Sequence, residues 1–371
     1  MKIVNIKTIL FGLLLVFSAA TLSAQVPAAE VQYGHYSYQD AIKSYKKIVK
    51  KDKTNGEVLF NLANAYRLNG NPQEAEVWFA EAVLHSQKPE TKLYFAQTLL
   101  SNKKYSKAQK WFENYSVVAE NPDDVQTAKS MAAFCAQLAA EGEPQYLYEV
   151  HEVSFNTEAF EFSPTFYADS AIVFVSNRDY PGNKKRSKDK WTGQHYMELF
   201  YANKQDNGAF GTPEKFLVKT DAYYHEGPAV FTKERDVIYY TKNQSERKNR
   251  NFDENRNTRL GIYRSQLSDG QWSAPAALNF VNEKFTVCHP ALSKDADFMI
   301  FAADMPGGYG GSDLYIAYTD GGAWSVPENL GNEINTAGNE VFPHIDAYNN
   351  LYFSSDMHIG FGGLDIFQML F

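Results

Sequence analysis

The chain has 371 residues, of which 44% are hydrophobic and 22% charged. It is too apolar for a disordered chain and long enough for two domains. Its formal charge of -8, which deepens if Lys2 and Lys7 leave with a leader segment, argues against nucleic acid as a partner. Two cysteines, Cys135 and Cys288, exclude a disulfide-stapled scaffold and a cysteine-rich zinc module. The aromatic share of 15%, led by 26 Phe and 24 Tyr, favours β-structure in part of the chain.

Residues 1–24 read as a secretory signal. Lys2 and Lys7 form its positive end, Ile9 to Phe17 its apolar core, and Ser18 to Ala24 a run rich in small residues, with cleavage expected after Ala24. The apolar core is too short to span a bilayer, and no later segment reaches about 18 apolar residues. No cysteine follows the cleavage region, which argues against a lipoprotein. The mature chain is expected to be exported and without a transmembrane span. Its two thiols are expected in different domains, buried and unpaired.

Residues 25–143 carry a helical pattern with a longer repeat laid over it. Ala41, Ala75 and Ala108 recur at about 34 residues, and so do the aromatic positions Tyr45, Phe79 and Phe112. Leu62-Ala63 returns as Phe95-Ala96. Small side chains let helices approach closely, and the aromatic fills the space beneath. Gly70 and Lys103 fall at the turn inside each helix pair. Pro89 and Pro122 are expected after the second helix of each pair, where the chain stops and turns. Asp123 or Asp124 is expected to cap a last helix over Val125–Ala139. The segment resembles the tetratricopeptide repeat family, whose repeats stack into a superhelix with a peptide-binding groove. The resemblance would place Phe60, Asn64 and Arg67 of one repeat, with Leu93 and Gln97 of the next, on that groove.

Beyond Glu143 the pattern turns to strands, over residues 144–371. Four apolar runs, Ile172-Val173-Phe174-Val175, Val237-Ile238-Tyr239-Tyr240, Met299-Ile300-Phe301 and Leu351-Tyr352-Phe353, read as period-two strands. Each is preceded by a turn-rich stretch and an X-Pro step: Ser163-Pro164, Gly227-Pro228, His289-Pro290 and Phe342-Pro343. A second strand follows each, beginning near Glu198, Gly261, Asp313 and Asp365. A third element follows the first three, at Phe210 to Pro213, Trp272 to Pro275 and Trp324 to Pro327. Such repeats are the mark of propeller blades, which must stack side by side to cover their apolar faces.

The stretches Phe174 to Arg178, Gly310 to Tyr315, Asn329 to Thr336 and Gly362 to Phe367 resemble the PD40 (WD40-like) repeats of TolB-type propellers. The fold expected is therefore an α+β multidomain chain: a tetratricopeptide α-solenoid followed by an all-β propeller of four recognisable blades, either minimal or truncated. Asn156-Thr157 precedes Pro164 at the spacing by which Asn335-Thr336 precedes Pro343. Tyr146–Phe155 thus reads as the outer strand of a blade whose inner strands lie elsewhere, completing the last blade.

The order of signal, helical repeats and PD40 blades resembles periplasmic envelope proteins of the OmpA family in gliding and type IX-secreting bacteria. Those carry a further OmpA-like domain that grips peptidoglycan. This sequence ends at Phe371 without one, so peptidoglycan enters as a partner only through a C-terminal domain outside it. The resemblance implies a periplasmic, outer-membrane-associated protein.

The search for chemistry is negative. There is no Gly-x-Ser-x-Gly, no His-Glu-x-x-His and no phosphate loop. The turn acids Asp304, Asp313, Asp356 and Asp365 repeat in register with the blades, which points to structural hydrogen bonds rather than calcium. No catalytic residue, metal or cofactor is expected. Two long insertions between the second and third strand positions carry basic residues: Lys184, Lys185 and Arg186 with Trp191 and Tyr196 in the first, and Arg247, Lys248, Arg250 and Arg256 in the second. Insertions on one face of a repeat fold often mark the binding face. The favoured expectation is a non-enzymatic scaffold that holds envelope proteins or peptide segments through the helical groove and the propeller face. The alternative is a propeller that binds or processes glycans.

Overall fold

The computed structural model describes residues 26–143, 151–167, 170–180, 188–216, 225–244 and 258–370. Contacts divide them into two compact units. One holds the helices together with Lys190–Gly193, and the other holds the β-structure.

The helical unit has, among the described residues, seven helices: α1 (26–34), α2 (Tyr38–Val49), α3 (Gly56–Leu68), α4 (Pro72–His85), α5 (Glu90–Ser101), α6 (Tyr105–Ser116) and α7 (Pro122–Glu141). The repeated small and aromatic residues are its core. Ala41, Ala75, Ala108, Tyr45, Phe79 and Phe112 are essentially inaccessible to solvent. Full burial of each such ring contributes roughly 1.5–3 kcal/mol. Gly70 and Lys103 turn the chain within the helix pairs at φ of 70° and 57°. Gly56 sits where α3 meets the end of α4. A Cβ there would lie 2.3 Å from the His85 carbonyl oxygen, so a side chain would push the helices apart.

The helix starts differ from the sequence expectation. Pro89 and Pro122 follow α4 and α6 as expected, and Pro122 also opens α7, where Asn121, not Asp123 or Asp124, accepts the capping bond, from the Asp123 N–H. Pro89 likewise stands at the N-cap of α5. A proline at a helix start loses no hydrogen bond, and its fixed φ suits the first turn. Asn55 and Asn71 cap α3 and α4 in the usual way, accepting from Val58 and Glu74 N–H groups.

The β-unit is a four-bladed propeller of antiparallel sheets. The first blade is β1 (Glu161–Tyr167), β2 (Ala171–Ser176), β3 (Glu198–Asn203) and β4 (Glu214–Lys215). The second is β5 (Glu226–Phe231), β6 (Val237–Asn243) and β7 (Leu260–Ser268), with β8 (Gln271–Trp272) and β9 (Ala276–Ala277) both on β7. The third is β10 (Val287–Leu292), β11 (Phe298–Ala303), β12 (Asp313–Tyr318) and β13 (Glu328–Asn329). The fourth has three strands among the described residues, β14 (Glu340–Ile345), β15 (Leu351–Ser355) and β16 (Asp365–Met369).

Against the period-two expectation, the apolar runs of β2, β6 and β11 are buried on both faces, whereas β15 alternates buried and half-buried residues. Along β6, Val237 and Tyr239 pack toward the third blade while Ile238 and Tyr240 pack toward the first. Along β11, Met299 and Phe301 face the second blade while Ile300 and Ala302 join Leu351 and Phe353 of the fourth. Trp272 and Trp324, from the third sequence element, fill the seams beside β6.

The stretches before those runs are strands, not turns. Each X-Pro step forms a β-bulge in the first strand of its blade, where the register slips: Phe162/Thr165, Glu226/Ala229, Cys288/Ala291 and Val341/His344. Ser163, Gly227, His289 and Phe342 all adopt positive φ there. A bulge tolerates the missing proline N–H that a regular ladder would not. Gly227 is required twice over, since a Cβ on it would fall 2.5 Å from Val175 Cγ2 of the first blade.

Of Tyr146–Phe155, residues 146–150 lie outside the described residues. The described remainder forms no strand, and Phe155 stacks on Phe174 of the first blade with centroids 4.9 Å apart. Cys135 in α7 and Cys288 in β10 are buried and unpaired. Burial pushes the Cys135 thiol up to about 12 and raises that of Cys288 as well, so both stay protonated and inert.

Candidate interaction surfaces

Alternate helices of the helical unit bring a polar and aromatic ladder together. Asn64 on α3 donates to the Tyr33 hydroxyl at 2.6 Å, and its carbonyl accepts from Arg67 Nε at 2.8 Å. The Arg67 guanidinium lies 4.2 Å from the Tyr94 ring centroid, and Tyr94 stacks on Phe60 at 6.0 Å. Lys88 covers the Phe60 ring at 5.1 Å. Phe60, Asn64 and Arg67 thus share one surface, as their spacing along α3 implies. Phe60 and Asn64 are themselves buried, and Arg67 is half-buried. On α5 it is Tyr94, one position beyond Leu93, that meets them. Leu93 and Gln97 are half-buried on the same helix. A cation stacked on a ring and fixed through Asn64 is held ready for an acceptor.

Trp191 packs on the helices. The segment Lys190–Gly193 belongs to the helical unit. The Trp191 indole stacks on Tyr36 at 5.6 Å with planes 14° apart, and meets Tyr38 edge-on at 5.1 Å. Its Nε1–H donates to the Leu68 carbonyl at 3.1 Å. Tyr196 belongs to the β-unit, where it packs edge-on against His225 at 4.8 Å. Lys184, Lys185, Arg186, Arg247, Lys248, Arg250 and Arg256 lie outside the described residues.

The turn acids of the blades are engaged in hydrogen bonds within the β-unit. Asp313 accepts from the Tyr309 and Gly310 N–H groups at 2.6 and 3.0 Å and from Asn329 Nδ2 at 2.8 Å. Asp365 accepts from Gly362 N–H at 3.0 Å, and Asp356 from Asn339 N–H at 2.8 Å. Asp304 accepts from Arg259 at 3.1 Å. Among the described residues no group of three His, Cys, Asp or Glu side chains is placed to hold a metal.

One constellation has the composition of a hydrolase triad. Ser355 Oγ lies 3.0 Å from His358 Nδ1 and donates to Glu340 at 2.6 Å. Its geometry is that of a clasp: serine and carboxylate both sit on the Nδ1 side of the ring, and Ser355 is inaccessible. A nucleophile needs an exposed hydroxyl, with base and orienting acid on opposite ring nitrogens. The first blade repeats the arrangement with Glu161, Ser176 and Arg178, where an arginine replaces the histidine. A position filled by histidine in one blade and arginine in another is serving the fold.

No curated protein matches the chain. Among solved structures, the chain is similar to the type III secretion translocator chaperone SycD of Yersinia enterocolitica, at 19% identity and TM-score 0.28, covering 33% of this chain and 94% of that one. The chain is also similar to TolB of Acinetobacter baumannii, at 17% identity and TM-score 0.32, covering 66% of this chain and 44% of that one. A thermostable family-43 glycoside hydrolase matches at 11% identity and TM-score 0.37, covering 57% of this chain and 72% of that one. Residues 33–92 match the tetratricopeptide repeat family.

Proposed function

We propose that this protein is a non-enzymatic scaffold of the cell envelope, holding protein partners through its helical repeats and its propeller. Both architectures are interaction folds, repeat solenoids above all. No described helix is long and apolar enough to cross a membrane. The amino-terminal signal read in the sequence supports export, with a periplasmic, outer-membrane-associated location. The similarity in domain order to gliding and type IX secretion proteins suggests that kind of assembly.

The observation that carries the reading is the ladder of Asn64, Arg67 and Tyr94. It presents a fixed cation and a ring on one surface of the helical unit, which suits a peptide carboxylate or an acidic side chain. The test is quantitative capture of envelope proteins by the full chain, compared with Arg67→Glu and Tyr94→Ala. Loss of the same partners in both variants supports the scaffold. Unchanged capture rejects the helical surface. Turnover of envelope glycans that dies with one blade carboxylate would favour the glycan-processing alternative.

A further inference from the structure

Trp191 is seated on the helical unit by three contacts of different kinds. Tyr36 supplies a stacking face, Tyr38 an edge, and Leu68 a carbonyl acceptor. The helices build this seat themselves. Tyr33, Tyr36 and Tyr38 lean on one another with centroids 5.4 and 6.2 Å apart. Tyr36 is held at φ 52° between α1 and α2, a conformation that costs a non-glycine residue energy and needs surrounding support. The Leu68 carbonyl belongs to the last turn of α3, where a helix leaves its acceptors unpaired. The segment is shaped to lie there too: Gly193 has φ 75°, and a Cβ on it would come within 3.1 Å of Gln39 Cγ.

We propose that Tyr36, Tyr38 and the Leu68 carbonyl form an indole-binding site for a tryptophan-bearing peptide segment, and that Trp191 occupies it as an intramolecular ligand. The acceptor distinguishes indole from phenyl, since the indole ring carries an N–H and phenyl does not. A tethered ligand acts at an effective concentration in the millimolar range. A partner's tryptophan must therefore displace Trp191, and the site is self-shielded until a segment of higher affinity arrives. The proposal rests on the peptide-binding reading of the helical unit, but its test reads Trp191 directly.

The probe is a labelled peptide of residues 188–195, titrated by fluorescence anisotropy into the full chain. Trp191→Ala in the protein is expected to bind it about tenfold tighter or more than the unaltered chain. Trp191→Phe, which keeps the stack and loses the N–H, should fall between them. Adding Tyr36→Ala to Trp191→Ala should abolish binding, with circular dichroism confirming that the helices persist. The same peptide carrying Trp191→Ala should not bind any of the proteins. Equal affinity for the unaltered chain and Trp191→Ala, retention of binding with Tyr36→Ala, or no binding to any of the proteins would overturn the proposal. Arg67→Glu in the same assay separates the two readings, because it should change partner capture without changing the gain from Trp191→Ala.

Discussion

Thr336 gives both its backbone N–H and its hydroxyl to the Glu340 carboxylate, at 2.8 and 2.6 Å. Thr157 does the same for Glu161 in the first blade, at 3.1 and 2.6 Å. The two blades are thus latched at their first strand by one repeated device, Thr-x-x-x-Glu, with a serine and either His358 or Arg178 closing the other side. Desolvation at this inaccessible site works to raise the Glu340 carboxyl, but the bonds from His358, Ser355 and Thr336 outweigh it and hold it below the usual range. A carboxyl depressed in the folded state adds stability above its unfolded value of about 4.3, and that stability is lost as pH falls through the lower folded value. Glu340→Gln places an amide N–H₂ against donors. It should cost about 2 kcal/mol or more, read as a drop in the denaturant midpoint of the β-unit. An unchanged midpoint at pH 7 would show that the latch carries no stability.

The bulge residues give a second pH effect, with its origin in a histidine. His289 stacks on Phe342 at 4.0 Å, its N–H donates to Thr241 Oγ1 at 2.8 Å, and its Nδ1 accepts from the Phe342 N–H at 3.4 Å. Desolvation in this setting lowers its imidazole to about 3. The folded chain therefore keeps His289 neutral while the unfolded chain takes up a proton below about pH 6.5. Stability is full above that value and falls with pH down to about 3, at up to roughly 1.4 kcal/mol per pH unit. His344, also lowered by desolvation, acts in the same direction. His289→Asn should reduce the stability lost between pH 7 and pH 5 by about 2 kcal/mol, measured as the difference in urea midpoints. An identical loss in both proteins would place the titration elsewhere.

Gly227 tests the packing between the first two blades. Its φ is 90° and its Cβ position is filled by Val175 and Leu199 of the first blade. Gly227→Ala should destabilise the β-unit by about 2 kcal/mol, through strain at positive φ and overpacking together. The comparison is Gly208→Ala, also at positive φ but with nothing within 4 Å of the added Cβ. It should cost only the backbone share. The difference in thermal midpoint between the two variants isolates the contact, and equal midpoints would deny it.

How far the residues announced this architecture depends on the range of the interaction. The alanine and aromatic repeat of α2, α4 and α6, and the runs that became β2, β6, β11 and β15, were legible because burial acts on every residue of a short periodic segment. The first strands were hidden because a bulge at Ser163-Pro164 or His289-Pro290 has the local chemistry of a turn, and only pairing with β2 or β11 makes it a strand. Tyr94 was missed for Leu93 because neighbouring residues on a helix point about 100° apart, so a repeat offset carried from Phe60 misses the face by one position. The seat of Trp191 had no local signal at all. Its partners Tyr36, Tyr38 and Leu68 lie more than a hundred residues earlier.

Gly56 makes the same distinction in the helical unit. Helix propensity alone predicts that alanine at this first position of α3 is favourable by up to about 1 kcal/mol. The structure predicts the reverse, because the added Cβ would lie 2.3 Å from the His85 carbonyl oxygen and 2.6 Å from the Ser86 nitrogen, both backbone atoms. Neither can swing away as a side-chain tip would. Separating α4 from α3 would also loosen Phe79, which packs between the aromatic rings of Phe60 and Phe95. Gly56→Ala should therefore lower stability by roughly 1–3 kcal/mol, read as an earlier loss of helical signal at 222 nm. Gly34→Ala is the matched control, since it too lies in a helix and its added Cβ meets nothing within 4 Å. A gain in both variants would mean that propensity outweighs the approach of α3 to α4. A gain only at Gly34 would show that close approach of the helices dictates the glycine.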